Sequence, residues 1–266
     1  MLAPSLIVKQ TALTALRGNW LKSIVVSSAV IFPLFVCIFV SDLISSITAP
    51  VVGIILLLLL CFLLIVPLFF GALSFWRRML WGEDDNPILL FSCFADSGTY
   101  LRALELGFMI AIRLIANGAL LLSPCLLVRI FASSKLYSLI NVPMPVWAGS
   151  LVYVSSFLGV LGGLALFFLM LKLYIAPFLF VADCNMDSAE AINMSAIISK
   201  RSASDFFWLV ISFLGYIVAS IFVIPLIFIL PYFVCSYLVH CRFAVAQYNR
   251  DVDRFNADNS TTYKVG

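Results

Sequence analysis

Residues Pro50 to Phe70 read PVVGIILLLLLCFLLIVPLFF, twenty-one positions without one charge. At about 1.5 Å per residue such a helix covers the roughly 30 Å hydrocarbon core of a bilayer. Pro50 suits its first turn, where the missing N–H has no helical partner to lose. Working outward, the charge-poor gaps continue on both sides. Ser23–Ser41 precedes it, Leu104–Val128 follows with Arg113 inside, and Val146–Leu171 comes after the loop from Asn141 to Pro145. Phe206–Cys241 is long enough for two spans joined near Pro225 to Leu230. The pattern predicts an all-α polytopic transmembrane bundle of about six spans, near 23–41, 50–72, 104–128, 146–171, 206–225 and 230–248. These belong to one membrane domain over 1–249, and 250–266 reads as a polar, disordered tail.

The composition agrees. Of 266 residues 64% are hydrophobic and 11% charged, against about 45–50% and about 25% in soluble domains. A soluble globule with that little polar surface is excluded, and so is a disordered chain. The net charge of +3 is no nucleic-acid signal, because the placement of the cations matters more than their sum. The first apolar run starts only after Lys22 and outlasts a usual signal-peptide core, so it is expected to be a span. Seven cysteines, none in a CxxC pair, read as small buried hydrophobes rather than as a disulfide or zinc framework.

Basic residues orient the chain. With six spans and the N-terminus inside, 13 of 16 basic and 12 of 13 acidic residues fall on the cytoplasmic side, Arg129, Lys135 and Asp42 lie outside, and Arg113 lies within a span. Five spans would export Arg250, Arg254 and Lys264 against the positive-inside rule. A multi-pass plasma-membrane protein with both termini cytoplasmic is expected. Three cytoplasmic segments read as surface helices. The first runs from Ser5, a candidate N-cap, to Arg17, with Leu6, Leu13 and Leu16 on one stripe. The second spans Arg77 to Arg102. In the third, Asp187 and Glu190 have capping-box spacing, and Ala191, Met194 and Ile198 share a stripe opposite Asn193 and Lys200.

Few positions carry candidate chemistry. Arg113 sits within the third span, where an arginine costs about 2.5–3.5 kcal/mol. Asn117, one turn on, shares its face. Together they form a candidate ligand site if Arg113 faces a cavity, where it would meet an anion or a lipid headgroup. The alternative is that the span starts later and Arg113 snorkels to the surface. Glu105 reaches Arg113 only through a bend. Gly159 and Gly163 have the small-xxx-small spacing of close helix packing. His240, the single histidine, lacks a second ligand and reads as an interfacial polar residue. Glu83, Asp84 and Asp85 read as a solvated turn. No catalytic residue, metal site or cofactor motif is expected. Pro67, Pro177 and Pro231 sit beside aromatic pairs in the returning spans. Unequal spacing makes tolerated membrane prolines the simpler account.

A set of stretches carries a family resemblance: Leu16 to Trp20, Pro67 to Gly71, Leu90 to Phe94 with Asp96, Ala176-Pro177, Val181 to Asp183, Ser188 to Ile192 with Ser195, Phe206 to Tyr216, and Pro231-Tyr232. In that order the chain, from about Leu6 to Tyr248, resembles a family of six-helix integral membrane proteins of Gram-positive bacteria known as a domain of unknown function. More distantly it is similar to the membrane domain of some glycerophosphodiester phosphodiesterases, whose catalytic barrel has no counterpart here. The resemblance implies a plasma-membrane protein with a cytoplasmic motif segment between helices four and five, and it carries over no catalytic residue because the family has no established activity. Cys184 to Asp187 departs from the proline-containing turn of that family.

The sequence therefore points to a non-enzymatic accessory, scaffold or lipid-interacting module. Its expected partners are the lipid bilayer and, beyond it, other membrane proteins or a second copy, with no nucleic acid. A small transporter with a polar site around Arg113 is the alternative, and a lipid-acting enzyme comes last.

Overall fold

The computed structural model describes residues 4–47, 49–83, 86–132, 145, 147–183, 186–219 and 223–262. Among them every element is helical and no strand occurs. The order is α1 (Pro4–Leu16), α2 (Trp20–Ile47), α3 (Pro50–Leu60), a π turn (Cys61–Ile65), α4 (Val66–Leu80), a 3-10 turn (Pro87–Phe91), α5 (Ser92–Ala95), α6 (Ser97–Phe131), α7 (Ala148–Leu173), α8 (Ala176–Ala182), α9 (Ser188–Ser212), α10 (Leu214–Ala219) and α11 (Val223–Thr262). Lys135, the loop up to Met144, Asp84, Asp85 and Cys184 lie outside the described residues.

The architecture is the expected helical membrane bundle. Among the described residues five runs are long and apolar enough to cross a bilayer: Trp20–Ile47, Pro50–Leu80, Ser97–Phe131, Gly149–Ala182 and Pro225–Arg254. The fifth expected span, 206–225, is not one helix. It comprises the end of α9, a break at Phe213, then α10. The break has a local partner. Lys9 Nζ donates to the Ser212 carbonyl at 2.8 Å and lies 4.3 Å from the Phe213 ring centre. A cation is favoured where a helix ends in unpaired carbonyls, and partial burial there lowers the lysine pKa. At the other end α11 continues to Thr262, so much of the expected tail extends a helix.

Carbonyls freed by prolines find new donors. Pro67 cannot donate to Leu63 one turn back, and the Leu63 carbonyl instead accepts from Tyr100 Oη at 3.0 Å. Pro124 frees Leu120, whose carbonyl accepts from Ser123 Oγ at 2.8 Å. Helix starts are capped as the sequence chemistry suggests. Asp96 accepts from Gly98 N and Thr99 N at the head of α6, and Asn86 accepts from Ile88 N at the 3-10 turn. Asp187 occupies the N-cap position of α9 without a side-chain capping bond, and Ser5 lies inside α1, which begins at Pro4.

Packing is lopsided. One end holds a continuous core of α1, α4, α5, α8, α9 and α11, including Leu16, Leu73, Phe75, Trp76, Ile192 and Leu238, all fully buried. Here α1 inserts Val8, Ala12 and Leu16, while Leu6 and Leu13 are exposed. Of the Leu6–Leu13–Leu16 stripe Leu16 alone enters this core, and the small Ala12 packs beside it. At the other end the helices expose long apolar faces, for example Phe32, Phe39, Ile54, Leu58, Leu120 and Phe157. In the most apolar window of α6 6% is buried, against 44% in α11.

Candidate functional site

The densest polar chemistry lies where α7 turns into α8, against α9 and α11. Helix α7 ends at Leu173, and α8 restarts with Pro177 in its first turn. The intervening turn costs the Lys172 carbonyl and the Ile175 N–H their regular places in a helix. Ser195 supplies both. Its Oγ accepts from Ile175 N at 3.2 Å and donates to the Lys172 carbonyl at 3.0 Å, with Ser199 a second, longer donor at 3.4 Å. One turn further along α9, Ser202 Oγ lies 2.8 Å from Tyr174 Oη, which lies 3.0 Å from His240 Nε2. Tyr237 Oη donates to the Tyr174 carbonyl at 2.6 Å. The Tyr174 ring stacks on Phe206, centroids 4.1 Å apart and 9° from parallel.

This network opens on a groove between α9 and α11. A cavity of about 230 Å³ is bounded by Val8 of α1, Ser202, Asp205, His240, Gln247 and Arg250. A neighbouring one of about 370 Å³ shares Ser202, Ala244 and Gln247 and adds Lys200, Arg201 and Asp251. Arg201 and Asp251 form an ion pair across its rim. The groove has an apolar floor, Ile198 and Ala244, and a charged edge. His240 meets Tyr174, so Ser202 is one hydrogen bond removed from the imidazole and has no base directly on its hydroxyl.

His240, read from the sequence as an interfacial polar residue, is buried between helices and bonded to Tyr174. The spacing of the serines is visible in the sequence. Ser188, Ser195, Ser199 and Ser202 repeat at three-, four- and seven-residue intervals, which puts them on one face of a helix. All four are buried.

The residues singled out from sequence fall elsewhere. Arg113 is exposed on α6, and among the described residues it makes no salt bridge. Asn117 turns its amide back on the helix, Nδ2 to the Arg113 carbonyl at 2.6 Å. Glu83 lies 3.7 Å from Arg77. Helices α6 and α7 run antiparallel in close contact. A Cβ on Gly159 would meet Cys125 Sγ at 3.2 Å, and one on Gly162 would meet the Leu121 carbonyl at 2.9 Å. Gly163 faces open space, so the close approach uses Gly159 with Gly162 in place of Gly159 with Gly163. Gly118 lies against Leu166 in the same pair. Continuing that register brings Arg113 level with Leu171, beside Lys172.

Among the described residues four cysteines are buried, Cys37, Cys93, Cys235 and Cys241. Among the described residues no three His, Cys, Asp or Glu side chains group as metal ligands. Compared with known proteins, the chain matches no family model, no curated protein and no solved structure.

Proposed function

We propose that the chain is a non-enzymatic, lipid-engaging membrane module of the plasma membrane, with both termini cytoplasmic and kinship to the six-helix family it resembles. The observation that carries this is the lopsided packing. One end is knit by buried aromatics and serines, and the other presents apolar helix faces that nothing among the described residues covers. Lipid chains are the natural cover for such faces, because they are as apolar as the side chains they meet. The level shared by Arg113 and Lys172 supports a headgroup boundary at the knit end, where long cationic side chains reach water while their stems stay in hydrocarbon.

The transporter alternative needs Arg113 and Asn117 on a shared polar path. Arg113 is exposed, and the Asn117 amide is bonded to its own helix. Purification in mild detergent with lipid analysis of the eluate tests the proposal. Retained phospholipid is expected, and its loss should lower the unfolding temperature. A chain that keeps no lipid, with unchanged stability on complete delipidation, would count decisively against it.

A further inference from the structure

A second polar cavity, of about 180 Å³, lies between α4, α5, α6 and α8, apart from the groove described above. That is roughly six water volumes. Its lining holds two arginines, Arg78 and Arg102, and no acidic residue. Ser74 and Ser92 add hydroxyls, and Phe70 and Phe180, with ring centres 5.0 Å apart, form the apolar side. Ser74 and Arg78 are one turn apart on α4 and so project to the same side. Arg78 is half-buried, and its Nε is fully buried without an acceptor among the described residues. A buried donor of a cationic group left without an acceptor is costly.

Two acids nearby are committed elsewhere. Asp96 is committed to the head of α6, accepting from Thr99 Oγ1, Thr99 N and Gly98 N, bonds that hold its carboxyl below the usual range. Arg102 is engaged within the protein and adds positive charge to the cavity. Glu83 sits with Arg77, not Arg78.

We propose that this cavity binds a phosphoryl group through the Arg78 guanidinium, with Ser74 and Ser92 as further donors and Arg102 as a second cation. Guanidinium geometry matches phosphate oxygens in pairs. The aromatic wall beside the charged one suits the phosphate of a membrane phospholipid, with the glycerol end against Phe70 and Phe180. Only that choice of source rests on the lipid-engaging function proposed above.

The test uses the full chain in mild detergent, titrated with phosphatidylglycerol, diacylglycerol or inorganic phosphate and read by native mass spectrometry and thermal unfolding. Wild type should bind phosphatidylglycerol stoichiometrically, and Arg78→Gln should bind it roughly tenfold more weakly or worse. Arg78→Lys should fall between them. Diacylglycerol should give no shift. Inorganic phosphate that stabilises wild type but not Arg78→Gln would uphold the phosphoryl site and move its source to a soluble phosphate. Should Arg78→Gln fail to fold, the double change Ser74→Ala with Ser92→Ala gives the second reading, with several-fold weaker binding expected. Equal phosphatidylglycerol binding by wild type and a folded variant overturns the site. If that equal binding persists, lipid engagement by the chain stands without the site. If wild type binds no lipid at all, both fall.

Discussion

Replacing Gly71 with alanine is expected to destabilise the bundle by about 2–3 kcal/mol, and with valine by more. A Cβ at this position would lie 1.9 Å from the carbonyl oxygen of Leu90 and 2.8 Å from its carbonyl carbon. The obstacle is backbone, held in the short turn Pro87–Phe91 with Leu90 itself buried, so no flexible side chain can swing away. Overpacking of a well-filled core typically costs about 1–3 kcal/mol, and here it must also displace the turn that carries Cys93 of the core and the start of α6. Gly163→Ala is the matched control. It faces open space, so the substitution should be neutral or stabilise by up to about 1 kcal/mol through helix propensity. Thermal unfolding in detergent distinguishes the two. Equal effects at both positions would contradict the close contact between α4 and the turn.

Tyr174→Ala is expected to be the most damaging single change at the polar network, at about 3–5 kcal/mol. It removes the ring that stacks on Phe206, opens a cavity, and strips the hydrogen bonds that join Ser202 to His240. Tyr174→Phe separates the two contributions. The stack survives, but Ser202 Oγ and His240 Nε2 lose their shared partner inside the bundle, for about 1–3 kcal/mol. If the phenylalanine variant unfolds with the wild type, the two bonds of the Tyr174 hydroxyl contribute nothing to stability, and the stack on Phe206 carries this side chain's contribution.

The spans were legible in the sequence because hydrocarbon forbids charge over a fixed length. Pro50 began a helix, and Asp96 and Asn86 offered cap chemistry that the structure uses. Which face packs was far less legible. In a soluble helix the apolar stripe marks the core, but in a membrane helix lipid-facing positions are equally apolar. Hence Leu6 and Leu13 of the apolar stripe are exposed, while Ala12 beside them is fully buried. Small and hydroxylated residues mark contacts better: Ala12, Gly71, Gly162 and the α9 serines. Arg113 stood out as a misplaced charge, yet its level became readable only from the pairing of α6 with α7. His240 was hidden for a different reason. Its partners Tyr174 and Ser202 lie 66 and 38 positions away along the chain, the first bonded to it directly and the second through that tyrosine.

The central claim is that the knit, cationic end of the bundle lies at the headgroups and the bare helices beyond it lie in hydrocarbon. Nitroxide labels at positions 113, 172 and 163, read by electron paramagnetic resonance in lipid nanodiscs with oxygen and a polar nickel relaxant, measure this directly. Labels replacing Arg113 and Lys172 should report the same shallow depth with high nickel accessibility. A label replacing Gly163, nine residues along α7 from Lys172, should lie roughly 13 Å deeper with high oxygen accessibility. A label at 113 as deep and as nickel-inaccessible as the one at 163 would contradict the account.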